Sequence, residues 1–152
     1  MNKRTLLAAA CALLLGPAWA QLPERFDPRR DAQADVQQAL AAALAEDKRV
    51  LVDVGGEWCA WCHVLDHFIA AHPEVRRTLQ EQYVRVKVNF SPQNRNEKLL
   101  ARWPRATGYP HLYVLDAGGR LLASQPSVEL EAGPDYDEQK MLAFLRRHAA
   151  RP

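Results

Sequence analysis

Val50-Leu51-Val52-Asp53-Val54-Gly55-Gly56-Glu57-Trp58-Cys59-Ala60-Trp61-Cys62-His63 is the stretch on which the reading of this chain turns. An apolar run of strand character enters a short glycine turn, and the turn delivers two cysteines, three positions apart, to the start of a helix. On a first helical turn that spacing leaves the Cβ atoms roughly 5–6 Å apart, close enough for modest relaxation to join the sulfurs. The pair can close into a disulfide and reopen.

The segment before it suggests where that chemistry runs. Lys3 and Arg4 precede an apolar run from Leu6 to Leu15, and Ala18-Trp19-Ala20 stands before Gln21. This is the pattern of a secretory signal, residues 1–20, cut after Ala20. The run falls short of the ~20 residues that span a bilayer, so no membrane insertion is expected after cleavage. Cys11 lacks the leucine that accompanies a lipid-acceptor cysteine. With the signal removed, Cys59 and Cys62 remain of the three cysteines. A secreted protein stapled by disulfides carries more, at wider spacing, and so small a loop gives little entropic stabilisation. Chemistry explains the pair better.

Removing twenty residues from 152 leaves 132, a length that suits one domain with one core. The signal holds two of the 20 basic residues and none of the 18 acidic ones, so the mature chain is formally neutral. That balance offers no electrostatic case for nucleic acid or an anionic membrane. Residues 21–30, with two prolines and several charges, read as an extended lead-in to a domain over 31–152.

Within that domain helices and strands alternate. Val36, Ala39, Leu40, Ala43 and Leu44 recur at helical spacing behind Asp31, a suitable N-cap, predicting a helix over 31–47. A buried strand follows at 50–54. From Cys59, the apolar face Cys62, Leu65, Phe68 and Ile69 marks a helix that Pro73 interrupts. Val84, Val86, Val88 and Phe90 alternate as a strand, and residues 94–103 are expected to be helical. Leu112–Leu115 and Arg120–Ala123 flank a turn as a hairpin, with a closing helix over 137–149. Trp103 is expected in the core, and His67, His72 and His148 as solvated or capping residues.

In order and spacing these features resemble the thioredoxin fold, an α/β architecture with a central mixed sheet flanked by helices, over residues 31–149. V-L-V-D precedes a turn and E-W-C-x-x-C, with Asp53 six residues before Cys59. Gly108-Tyr109-Pro110 resembles the family's G-x-P, which implies a cis proline opposite the cysteines, and Lys87 falls where the family places a lysine near the buried aspartate. The departures are informative. Ala60-Trp61 stands where thioredoxins usually have Gly-Pro, His63 where they have lysine, and Gly55 where they have an aromatic residue. These changes resemble exported members, including the reductant-carrying periplasmic domains of disulfide interchange proteins.

Each site residue then has an expected role. Cys59, at a helix N-terminus, faces free amides and the positive end of the dipole, which favour thiolate and make it the nucleophile. Cys62, one turn in and more buried, resolves the mixed disulfide. Asp53 sits on a buried strand, where desolvation disfavours its charged form and suits it to take the proton from Cys62. Trp58 and Trp61 offer aromatic surface to an extended partner, and a cis Pro110 leaves the backbone of Tyr109 open to a substrate strand. No cofactor beyond the redox-active pair is needed. Protein disulfides would be the substrates and a membrane protein the electron donor.

Two other readings stay open on sequence. Cys59-Ala60-Trp61-Cys62-His63 is also the C-x-x-C-H signature of c-type haem attachment. A copper or zinc carrier site could likewise gather Cys59, Cys62 and His63 with Asp66 or His67, although Cys62 and His63 project about 100° apart on a helix.

Overall fold

The computed structural model describes residues 21–151, so the expected signal sequence and Cys11 lie outside the described residues. Asp31 caps the first helix, α1 (Ala32–Glu46), by accepting from the amide of Ala34 at 3.0 Å. β1 (Arg49–Gly55) leads to α2 (Ala60–Ala71), and α3 (Pro73–Gln82) starts on the proline that breaks the helical run. Pro73 takes the first helical position, where no amide is required of it. β2 (Tyr83–Asn89), the short α4 (Glu97–Leu100), β3 (His111–Leu115) and β4 (Leu121–Pro126) follow. A 3₁₀ turn (Ser127–Leu130), the two-residue strands β5 (Glu131–Ala132) and β6 (Asp135–Tyr136), and α5 (Glu138–Arg147) complete the chain.

The main sheet runs β2-β1-β3-β4, with β1 parallel to β2 and antiparallel to β3. Strand periodicity sorts its two faces. Val50, Val52 and Val54 of β1, with Val86 and Val88 of β2, pack in one core with Ala32, Val36, Ala39 and Ala43 of α1. Leu51 lies in the other core with Leu65 and Phe68 of α2, Leu79 of α3 and Met141 and Leu145 of α5. Along this second face β1 therefore presents Leu51, Asp53 and Gly55 in succession.

Three expectations need correction. The helix predicted over 94–103 is only Glu97–Leu100. Asn94 and Asn96 spend their side chains on backbone instead, with the Asn96 amide donating to the Asn89 carbonyl at 2.6 Å and the Asn94 amide to Pro28. Asn96 itself sits at φ +48, and beyond Leu100 the chain tightens into i→i+3 bonds that end at Trp103. Leu44 is 72% exposed, because the small residues of α1 already fill the interface with the sheet. Trp103 is half-buried, leaning on Tyr113 at 5.0 Å between ring centroids. Residues 127–136, without a readable period in the sequence, form the 3₁₀ turn and the small β5–β6 hairpin, which carries Tyr136 onto Trp61.

Candidate active site

Cys59 and Cys62 form a disulfide, with Cα atoms 5.3 Å apart. Cys59 is the N-cap of α2, and its sulfur accepts from the Cys62 amide at 3.2 Å. Cys59, the expected nucleophile, thus stands at the positive end of the helix dipole. Both cysteines are buried in the disulfide state, Cys59 at 3% and Cys62 at 1% exposed, so burial scarcely separates them.

Two glycines make room for this arrangement. A Cβ on Gly55 would stand 2.3 Å from the Cys62 sulfur and 3.2 Å from the ring of Phe26. A Cβ on Gly56 would meet the Trp58 indole at 2.1 Å, so glycine lets that ring fold back and donate to the Phe90 carbonyl at 2.8 Å.

Phe26 revises the picture of residues 21–30. Its ring is 2% exposed and clusters with both cysteines, filling space beside the side-chain-free Gly55. Its amide donates to Glu57 Oε1 at 3.0 Å, Arg30 pairs with Asp35 at 2.7 Å, and Pro28 receives Asn94. The lead-in is a strap pinned across the site. An aromatic residue is missing at 55, and one arrives from 29 positions upstream. A lone aromatic among prolines and charges is the one mark of it in the sequence, and it has no period to assign it a place.

Below the disulfide lies a run of charges on an otherwise apolar face. Asp53 (1% exposed) pairs in register with Lys87 across β1 and β2. The Lys87 ammonium nevertheless bonds Asp66 of α2, not Asp53, and sits 4.6 Å above the Phe26 ring. The lysine was expected beside the aspartate; Arg85 takes that place, donating to Asp53 Oδ2 from Nε at 3.1 Å and from a terminal nitrogen, and to Asp66 Oδ1 at 2.8 Å. Arg85 is placed there because Val84, Val86 and Val88 turn to the α1 side, which sends Arg85 and Lys87 together to the other. Burial pushes the Asp66 carboxyl up, but Arg85 and Lys87 outweigh it and hold the group below the usual carboxylate range. Asp53 Oδ1 is buried without a hydrogen-bond partner.

In front of the disulfide the surface is aromatic. Trp58 is 56% exposed and stands edge-on to Tyr109 at 5.8 Å, while Tyr109 stacks on Phe90 at 4.8 Å. The Tyr109–Pro110 peptide is cis, and among the described residues no backbone hydrogen bond involves Tyr109. Trp61, expected like Trp58 to face a partner, is partly buried: it packs edge-on against Tyr136 at 5.5 Å and also against the cluster of Phe26, Cys59 and Cys62, whereas Trp58 is exposed.

The histidines do not gather around the sulfurs. His63 donates from Nε2 to the Glu57 carbonyl at 2.8 Å, and His72 donates to Phe68 at 2.8 Å. Among the described residues no three His, Cys, Asp or Glu side chains are grouped to hold a metal. Neither the metal-carrier nor the haem reading gains support from this geometry.

A sequence profile described as thioredoxin-like matches residues 31–117. The chain belongs to the thioredoxin-like family. A disulphide isomerase from Xylella fastidiosa has the same fold, with a TM-score of 0.69 at 24% identity, over 84% of this chain and 96% of that one. The disulfide bond reductase DsbH of Chlamydia pneumoniae is 29% identical over 60% of this chain and 63% of its own length. The thiol:disulfide interchange protein DsbD of Citrobacter koseri is 30% identical over 53% of this chain but only 14% of its own. The chain thus spans less than two thirds of the curated relatives it matches. Among the described residues no helix is long and apolar enough to cross a membrane. The profile match begins after Phe26 and ends before Tyr136, leaving out two rings that pack around α2.

Proposed function

We propose that this thioredoxin-like protein is an exported, periplasmic thiol-disulfide oxidoreductase that takes electrons from a membrane donor and reduces or exchanges disulfides of extracytoplasmic proteins. The observation that carries the reading is the Cys59–Cys62 disulfide at the N-terminus of α2, flanked by an outward-facing aromatic surface and backed by a buried carboxylate.

In the reducing direction the Cys59 thiolate attacks a substrate disulfide, forming a mixed disulfide and releasing one substrate thiol. Cys62 then gives up its proton and attacks the Cys59 sulfur, and the second substrate sulfur leaves as a thiolate that is protonated. Two electrons pass from the dithiol to the substrate, and the Cys59–Cys62 disulfide remains. Asp53 is the acceptor for the Cys62 proton in this reading, through the oxygen that Arg85 leaves free. Trp58 and the open backbone of Tyr109 hold the substrate segment in extended form.

The reducing direction rests on what stands between β2 and the cis proline. Residues 90–110 hold one four-residue helix, with no room for the helical domain that dedicated oxidases insert there. Equilibration with a glutathione series tests the direction. A reductase should settle nearer the thioredoxin value of about −270 mV than the roughly −120 mV of a strong oxidant. A value at the oxidising end, with rapid oxidation of reduced unfolded proteins, would overturn it.

A further inference from the structure

Next to the disulfide, on the far side of the Tyr109 ring, lies a cavity of about 630 Å³ that the thiol chemistry does not use. Its apolar walls are Val54, Phe90, Leu100, Trp103 and Tyr109. Tyr109 is a shared wall: one side of the residue packs against the cluster of Phe26, Cys59 and Cys62, and its ring stacks on Phe90 within the cavity lining. Tyr109 therefore joins the cavity wall to the cluster that holds both sulfurs.

The rim adds charge to this apolar interior. Arg95 and Arg105 both line the cavity, with Glu97 the only acidic residue among the lining. Glu97 stands 3.8 Å from Arg95, and both are well exposed. Arg105 makes no ion pair and no side-chain hydrogen bond among the described residues. A cationic group held at the edge of an apolar cavity suits a ligand with an apolar body and a carboxylate beside it.

We propose that this cavity is a specificity subsite, and that it takes a large apolar side chain of a protein substrate whose neighbouring carboxylate pairs with Arg105. The inference rests on the oxidoreductase reading above and adds the substrate class. A segment extended along Tyr109, with its cysteine at Cys59, sends alternate side chains to one side at about 6.5–7 Å intervals. That reach carries the residue two positions from the target cysteine past the Tyr109 ring into the cavity. Continuity with the thiol site favours such a segment over a free small molecule. The uncompensated positive charge selects an acidic segment over a basic one.

The test uses disulfide-linked peptide pairs in which the cysteine is flanked by Leu-Glu, Leu-Lys or Gly-Lys, with reduction followed by the protein in its dithiol form. The readout is the ratio of kcat/KM between peptides, which cancels any general loss of folded protein or thiol reactivity. The Leu-Glu peptide should be favoured over Gly-Lys by at least tenfold. Arg105→Glu should invert the preference between Leu-Glu and Leu-Lys, and Ala106→Trp, which fills the cavity from its lining, should erase the advantage of leucine over glycine. Equal ratios across all peptides and variants would overturn the subsite while leaving the oxidoreductase reading intact. Failure to reduce any peptide, or a small aromatic disulfide, would instead count against that reading. A dimer in the parent protein that Ala106→Trp dissolves would show a second copy in the cavity and also overturn the proposal.

Discussion

The two flanks of the disulfide are built from opposite materials. Behind it, Phe26, Asp53, Arg85, Lys87 and Asp66 form a closed layer in which each charge but one oxygen has a partner. In front of it, Trp58, Tyr109 and Phe90 leave aromatic surface and open backbone to solvent. On the proposed function the contrast divides the labour: the rear would set how easily the sulfurs gain and lose protons and electrons, and the front what approaches them. Mutations behind the disulfide should therefore disturb stability and thiol chemistry together, whereas mutations in front should change partner preference.

The largest effect is expected where the flanks meet. Cys59→Ser should abolish disulfide reduction, and Cys62→Ser should accumulate mixed disulfides through Cys59, identified by mass spectrometry of trapped adducts. Capture through Cys62 in the Cys59→Ser protein would reverse the two roles.

Next comes the rear layer. Arg85→Met leaves the Asp53 carboxylate buried without its counter-charge, a change that costs about 3–5 kcal/mol in comparable sites, read by urea denaturation. Adding Asp53→Asn should restore much of that loss, because the unpaired charge is gone, yet slow resolution of the mixed disulfide relative to the initial attack in stopped-flow traces. Equal rates in both steps would leave Asp53 a structural residue and blur the division between flanks.

Phe26→Ala should cost about 3 kcal/mol by emptying a buried site and should speed alkylation of Cys62 in the reduced protein. Unchanged alkylation would mean that the strap stabilises without shielding.

The smallest effect concerns acid. The Asp66 carboxyl is held below its ordinary value, so its contribution to stability is present above the unfolded value of about 3.9 and is lost as pH falls through the lower folded value. Thermal unfolding of Asp66→Asn should therefore fall less steeply than the parent's between pH 4 and pH 2. Identical slopes would remove Asp66 from the rear layer's electrostatics.

The features carried by local pattern were legible in the sequence: the paired cysteines, the strand before them and the Tyr109-Pro110 turn each lie within a few consecutive residues. The Arg85 pairing was half visible. Alternating valines at 84, 86 and 88 already place Arg85 and Lys87 on one side of β2, but only the packing of α2 over that side shows which carboxylate each cation meets. Phe26 was hidden, because a single aromatic residue in an irregular segment has no period and finds its place only once Gly55 is seen to leave space. The helix expected at 94–103 misled because asparagine side chains compete with the helix for backbone partners, a contest that hydrophobic spacing does not register.

Because the Phe26 ring packs in one buried cluster with the cysteine pair, docking of the strap and the redox state of the pair are linked equilibria. Linkage is reciprocal. If the docked strap favours the disulfide over the dithiol tenfold, the potential moves by about 30 mV, and reduction loosens the strap by the same factor. The Phe26 amide, which donates to Glu57, then becomes a reporter: its hydrogen-exchange protection should change on reduction, in a segment that takes no part in the chemistry itself.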